Sequence, residues 1–105
     1  MSVALGAGAL YSTVKDLDKW SRSLDTDTIL SQASRNAMFA PTVKVPTDKE
    51  NDQTYYGYGL RIDNLHNRDR IAHNGSIDGF LTHFARYPDE RVTIIVLSNL
   101  QTATW

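Results

Sequence analysis

The chain has 105 residues, of which 41% are hydrophobic and 22% charged, and its formal net charge at pH 7 is -1. This length allows one domain with a modest core. The balanced charge and the lack of a Lys/Arg cluster argue against nucleic acid and anionic membranes as partners. Without cysteine, disulfides and thiolate metal sites are excluded. No apolar run reaches the roughly 18 residues that a transmembrane helix needs.

The first third of the chain predicts two helices. Thr13 is typical of a helix N-cap, since an acidic residue follows three positions later, and apolar residues recur at helical spacing up to Leu24. We therefore expect an amphipathic helix over residues 13–24, with Trp20 in the core. A second helix is predicted over residues 31–39, capped by its first serine and ended before the proline that follows.

The rest of the chain predicts a polar loop and then strands. Residues 41–54 are polar and charged with an internal proline, which indicates a mobile loop. The expected strands are 56–62, one that begins with 70–73, 80–87 and 91–98. Pro88 opens a strong turn signal between the last two. We predict one α+β domain over residues 1–105, with two helices within 11–40 and a three- or four-stranded antiparallel sheet within 55–99.

The last predicted strand is apolar on both faces. Val92, Ile94 and Val96 alternate on one face, while Ile95 and Leu97 lie on the other. A strand of this kind is normally covered on both sides. Two helices are not enough to cover both faces of the sheet, so we expect that part of the fold lies outside this chain.

Four segments, in this order, carry a resemblance to a known family. They are GAGALYSTVKDLDKW, YGYGLRI, HNGSIDGF and ARYPDERVTIIVLSN. Together they resemble the C-terminal portion of class C β-lactamases, penicillin-binding DD-peptidases and related esterases, over about residues 5 to 99. The resemblance implies a fragment of the β-lactamase/transpeptidase-like fold, with the sheet belonging to a larger α/β domain.

The family's H-x-G or K-T-G strand is matched by His73, Asn74 and Gly75. The resemblance implies that this strand binds the substrate and lines the oxyanion hole. Gly75 would let a substrate lie against the backbone, and the N–H of Ser76 would face the oxyanion, a donor worth about 3 kcal/mol. His73 could orient the leaving group or donate a proton. Asparagine departs from the usual Thr or Ser, which leaves esterase or amidase specificity open. From the residues alone, a glycine-containing strand end is the alternative.

Two short segments imitate the family's remaining motifs. Residues 12–15 spell S-x-x-K and residues 34–36 spell S-x-N. They lie too close together in sequence for the family, in which a large helical region separates the two motifs. Both serines are also explained as helix caps. We therefore predict that the nucleophilic serine and its lysine are absent from the chain.

Other polar residues have a simpler interpretation. The three histidines are His66, His73 and His83, and their irregular spacing predicts surface positions rather than a metal site. The tyrosines are Tyr55, Tyr56 and Tyr58, which either pack across the sheet as strand formers or line a groove beside the H-x-G strand. Arg86 is expected to pair with Asp89 or Glu90. No cofactor and no metal are implied.

The resemblance implies a parent enzyme that transfers or hydrolyses acyl groups through a serine ester. Its substrate would be a D-amino-acid peptide, a β-lactam or a small ester, and it would lie outside the cytoplasm or at the cell envelope. This chain would supply one wall of the cleft and be inactive alone. Its partners would be the missing N-terminal part of the parent and, in isolation, a second copy of itself. A non-catalytic peptide-binding module and a purely structural fragment remain the alternatives.

Overall fold

A computed structural model describes residues 5–47 and 52–100 of the chain. These residues form three helices and one six-stranded antiparallel sheet, whose strands are neighbours in chain order. The α+β class is confirmed, whereas the sheet has more strands than the three or four that the sequence predicts. Among the described residues, no helix has the length and apolar character needed to cross a membrane.

The elements follow one another as helices first and strands second. The helices are α1 (Leu5–Gly8), α2 (Val14–Ser23) and α3 (Gln32–Phe39). The strands are β1 (Val43–Lys44), β2 (Tyr55–Tyr56), β3 (Arg61–Leu65), β4 (Arg68–Ile77), β5 (Phe80–Tyr87) and β6 (Val92–Ser98). Because every connection is between sequence neighbours, the sheet is a meander.

Both predicted helices form, and local capping explains where they begin. The Thr13 hydroxyl accepts a hydrogen bond from the amide of Asp16 at 3.1 Å, so one of the free amides at the start of α2 is satisfied. The Ser31 hydroxyl accepts from the amide of Ser34 at 3.2 Å in the same way at α3. The extended backbone of Ala40 ends α3 before the proline.

The prediction of one strand over residues 56–62 is wrong, because the chain turns inside this segment. Gly57 donates its amide hydrogen to the Leu60 carbonyl at 2.8 Å, and Gly59 has a φ of 78°, a conformation that costs glycine little. A Cβ on Gly57 would lie 2.7 Å from the Met38 carbonyl oxygen. The close approach of α3 therefore shapes the turn, and β2 and β3 form a hairpin around it.

The predicted mobile loop is also partly ordered as a strand. Val43 and Lys44 form β1 and pair with Tyr56 and Tyr55. Val45 extends this pairing, because its amide donates to the Thr54 carbonyl at 2.9 Å. The segment 48–51, which belongs to the same prediction, lies outside the described residues.

The helices cover one face of the sheet. The Trp20 ring of α2 packs on Phe84 of β5 with centroids 5.5 Å apart, and the Ser21 hydroxyl lies 3.5 Å from that of Thr93 on β6. Trp20 contacts the sheet as expected but is 38% exposed, so it borders the core instead of filling it. The buried apolar residues are Leu24, Leu60, Ile71, Ala72 and Ala85.

Arg86 joins both helices to the sheet, and the predicted pairing with Asp89 or Glu90 is wrong. Its guanidinium forms an ion pair with Asp25, just after α2, and lies 5.3 Å from the Phe39 ring centroid at the end of α3. Glu90 pairs instead with Arg68 at 3.4 Å. Strand alternation explains this result: Arg86 is on the same face as Phe84, which is the face that the helices cover.

The other sheet face is open among the described residues. Thr93 points toward α2, so its neighbours Val92 and Ile94 point away from it. Val92 is 46% exposed and Ile94 is 43% exposed. The strand that the sequence predicts to be covered on both sides is therefore covered on one.

Candidate functional site

The four predicted site residues lie consecutively on β4, along a stretch with one open edge. β5 pairs with β4 as far as the Ile77–Phe80 pair. The ladder with β3 ends earlier, at the Arg61–Ala72 pair, because the turn between β2 and β3 carries the chain away. Among the described residues, the segment His73–Ile77 thus pairs on one side only. Its other edge has the geometry to receive an extended ligand by strand addition.

His73 is fixed by contacts at both ring nitrogens. Its Nδ1 lies 2.6 Å from the carbonyl oxygen of Asn74, and its Nε2 lies 2.8 Å from the Tyr56 hydroxyl. The two rings meet edge to face, with centroids 5.8 Å apart and an interplanar angle of 73°. An exposed imidazole held at both ends has one orientation at the open edge instead of several.

Asn74 points to the opposite sheet face from His73. Its side-chain oxygen accepts a hydrogen bond from His83 Nδ1 at 2.6 Å, and the two residues are direct partners across β4 and β5. The asparagine that departs from the family's Thr or Ser is therefore engaged in a cross-strand hydrogen bond, although it is exposed. This contact also accounts for His83, which the sequence analysis treats as a surface residue.

Gly75 is required by packing inside the sheet. A Cβ at this position would lie 2.3 Å from Oγ1 of its cross-strand partner Thr82, a separation that real Cβ atoms do not show. Ser76 follows on the strand and is exposed. The use of this backbone by a substrate, and the orientation of the Ser76 N–H toward an oxyanion, stay predictions.

A groove runs beside this part of β4. Its lining residues are Arg61, Arg70, Ala72, His73, Asn74 and His83. Arg70 donates to both carboxylate oxygens of Asp63, at 2.9 and 2.6 Å. This bidentate bond raises the pKa of the partly buried Arg70 guanidinium, although desolvation opposes part of the rise. Because the Arg70 pKa is raised, the contribution of this cation to stability is fully present below the ordinary arginine pKa and is lost only as the pH rises through the raised one.

The S-x-x-K segment at residues 12–15 and the S-x-N segment at residues 34–36 do not form a catalytic site. The Ser12 hydroxyl donates to the Thr13 carbonyl at 3.3 Å, and within the described ranges no hydrogen bond links Ser12 to Lys15. Ser34 lies in the first turn of α3, where its amide is capped by Ser31. The caps are thus Thr13 and Ser31, so the prediction that Ser12 and Ser34 are themselves caps is wrong in detail.

The described residues contain no group of three His, Cys, Asp or Glu side chains arranged to hold a metal ion.

His66 lies in the β3–β4 turn, where it and Asn67 have φ values of 52° and 62°. Positive φ at both central residues is typical of a type I′ turn, which suits the twist of a two-residue hairpin.

Tyr56 is the site residue that sequence reasoning did not resolve. The sequence leaves the three tyrosines as strand formers or groove residues, and the structure separates them. Tyr56 bonds His73, the Tyr55 hydroxyl donates to Gln53 Oε1 at 3.1 Å, and Tyr58 is 64% exposed. The glycines at positions 57 and 59 permit a turn, but nothing in the sequence indicates that this turn places Tyr56 beside the H-x-G strand.

A sequence model of the beta-lactamase family matches residues 1–104. The chain belongs to the beta-lactamase family. Penicillin-binding protein 4* of Bacillus subtilis is 34% identical to this beta-lactamase-family chain over 100 residues. A D-aminopeptidase of Gluconobacter oxydans is 24% identical over 98 residues, and an unguisins hydrolase of Aspergillus campestris is 29% identical over 97.

These alignments cover nearly all of this chain but little of the relatives. They include 94%, 93% and 90% of the chain, and 21%, 18% and 18% of the three proteins. The beta-lactamase-family chain therefore spans about a fifth of the length of the curated relatives that it matches.

A solved structure supports the fold. The crystal structure of a penicillin binding protein from Bacillus halodurans matches this chain with a TM-score of 0.74 and 24% sequence identity, covering 87% of this chain and 27% of that one. At this identity the likeness shows the fold alone, and the matched region is about a quarter of that penicillin binding protein. The predicted resemblance to β-lactamases and penicillin-binding proteins is confirmed.

Proposed function

We propose that this chain forms one wall of the catalytic cleft in a β-lactamase-like serine hydrolase. The open edge of β4 carries the proposal: the H-x-G residues lie where the β3 ladder has ended, so an extended substrate has room to pair with the strand. His73, Asn74, Gly75 and Ser76 supply this wall. The nucleophilic serine and its lysine come from the part of the parent outside this chain, so the chain alone is inactive.

The proposed chemistry is acyl transfer or hydrolysis through a serine ester. Names of the relatives, a penicillin-binding protein and a D-aminopeptidase, favour a D-amino-acid peptide or a β-lactam as the acyl donor, and a small ester is the third class. The parent is proposed to act outside the cytoplasm or at the cell envelope. The chain's formal charge of -1 offers no reason to add nucleic acid as a partner.

The test of inactivity is an intact-mass measurement. The purified chain is incubated with a penicillin and, separately, with a serine-reactive fluorophosphonate, alongside a Ser12→Ala variant. We expect the mass to stay unshifted in all four samples, because no serine hydroxyl within residues 5–47 and 52–100 is hydrogen-bonded to a side chain that could act as its general base. A stoichiometric adduct that maps to Ser12 and disappears in the variant would overturn the proposal.

The test of the cleft wall is a titration followed by NMR. A short cell-wall peptide that ends in two D-alanines is added to the isotope-labelled chain, and its L-alanine counterpart is the matched control. The expected result is a set of amide shifts confined to residues 73–77 and stronger with the D-peptide. Equal shifts with both peptides, or shifts confined to other strands, would contradict the proposal.

The same open edge favours a second candidate, a non-catalytic module that captures an extended peptide. Binding by this module would come mainly from backbone hydrogen bonds. It predicts saturable peptide binding by the complete parent without turnover, whereas the hydrolase predicts turnover after binding. A purely structural fragment predicts neither, so one parallel measurement of binding and product formation separates the three.

A further inference from the structure

Both nitrogens of the His73 imidazole have an identified partner, and the chemistry of these partners decides where the proton lies. The Asn74 carbonyl oxygen, 2.6 Å from Nδ1, can only accept a hydrogen bond. Nδ1 must therefore carry a proton and donate it. In a neutral imidazole Nε2 then has a free lone pair.

The second contact completes the pattern. The Tyr56 hydroxyl lies 2.8 Å from Nε2 and is able to donate or accept. Because the Nε2 of a neutral, Nδ1-protonated ring can only accept, the tyrosine O–H must be the donor. Free histidine prefers its proton on Nε2, so the arrangement in this chain is the less common tautomer, held by two hydrogen bonds.

We propose that Tyr56 is a positioning residue: it donates to Nε2 of neutral His73 and so fixes the ring at the open edge of β4, in the Nδ1–H tautomer that the Asn74 carbonyl selects. A ligand that approaches Nε2 therefore meets the tyrosine oxygen, and neutral His73 has no proton on that nitrogen to donate to it. The relevance of this edge to a substrate rests on the proposed function, whereas the tautomer itself does not.

Two features of the site suit Tyr56 to this role. Tyr56 stands on β2, at the entry to the turn before β3, and not on β4 itself, so it restrains His73 from outside the strand. The edge-to-face contact of the two rings fixes the direction from which the hydroxyl approaches. A tyrosine ring is rigid and brings a hydroxyl at a low cost in conformational entropy.

The test is the tautomer of His73, read from long-range proton–nitrogen spectra of the nitrogen-15-labelled chain. Spectra are recorded about two pH units above the ordinary histidine pKa of about 6.5, so that neutral imidazole dominates for an ordinary histidine. We expect the wild-type His73 to carry its proton on Nδ1. In Tyr56→Phe the proton should stay on Nδ1, because the Asn74 carbonyl still accepts from it, whereas the Nε2 resonance should shift, because this nitrogen loses its hydrogen-bond donor.

Tyr58→Phe is the matched control, because it removes a hydroxyl from a largely exposed tyrosine two residues away. It should leave the His73 signals unchanged. A wild-type proton on Nε2 would overturn the proposal, as would a Tyr56→Phe spectrum that matches Tyr58→Phe. The wild-type spectrum decides the question alone if the Tyr56 variant does not fold.

This outcome is independent of the peptide titration. An Nδ1–H tautomer with no peptide shifts at residues 73–77 would support the positioning role and contradict the proposed cleft wall. Peptide shifts at the open edge together with a proton on Nε2 would support the cleft wall and contradict the positioning role.

Discussion

Gly75 shows how one missing side chain sets the local shape of the candidate site. Its cross-strand partner Thr82 places Oγ1 where a Cβ of residue 75 would stand, 2.3 Å away. Thr82 is β-branched, so its χ1 rotation is restricted and Oγ1 does not move away freely. The pairing of β4 with β5 therefore depends on glycine at this position, before any ligand is considered.

The resulting prediction is that Gly75→Ala destabilises the chain by about 1–3 kcal/mol, the usual cost of overpacking. Adding Thr82→Ala should recover most of this loss, because the next atom, Thr82 Cβ, would be at an ordinary 3.6 Å. Urea unfolding of both single variants and the double variant measures the coupling. Gly6→Ala is the control, since a Cβ at Gly6 meets no atom within 4 Å. A loss that is equal with and without Thr82→Ala would contradict the steric explanation.

Among the helices and strands, the sequence correctly predicts the ends that are set by residues close by in the chain. The helix starts follow from hydroxyl caps at Thr13 and Ser31, which act within three residues. The strand predicted over residues 80–87 is β5 with the same bounds, Phe80–Tyr87, because a strong turn signal at Pro88 ends it. These signals need no knowledge of the rest of the fold.

Features that depend on distant contacts were not predictable from the sequence. The turn inside YGYGLRI forms where Gly57 approaches the Met38 carbonyl, and nothing near Gly57 in the sequence indicates that approach. The contact of Tyr56 with His73 requires the same turn. In the same way, Arg86 forms an ion pair with Asp25 across the sheet–helix interface, although Asp89 and Glu90 are closer in sequence.

Arg86 gives a prediction about how the helices are attached to the sheet. Arg86→Ala should lower the free energy of unfolding by about 1–3 kcal/mol, because it removes a buried hydrogen-bonded cation and its packing on Phe39. Arg22→Ala is the control: it removes an exposed helical pair with Asp18 at 3.1 Å and should cost at most about 0.5 kcal/mol.

Denaturant unfolding of both variants checks this prediction. The part of the loss in Arg86→Ala that comes from burial of the guanidinium against Phe39 should persist at high salt, whereas the part from the ion pair should shrink, because the Asp25 side chain is 65% exposed. Equal effects of the two substitutions would mean that Arg86 does not hold the helices to the sheet.

At the scale of the whole molecule, the sheet is unequal on its two sides. α2 covers one face of β6, while Val92 and Ile94 point out from the other. The chain also spans only about a fifth of the length of its curated relatives. We propose that a part of the parent outside this chain covers the open face in the complete protein, and that a second copy covers it when the chain is alone.

Sedimentation velocity over a wide concentration range tests this proposal. The wild-type chain should shift from monomer toward larger species as its concentration rises. Ile94→Lys should move that transition to higher concentration, because a charge on the open face must lose its hydration for two such faces to meet. Ile29→Lys is the matched control, since Ile29 is 65% exposed in the connection between α2 and α3. A wild-type monomer throughout, or equal effects of the two lysines, would contradict association through this face. If only Ile94→Lys acts, the open face is the surface that the rest of the parent should cover.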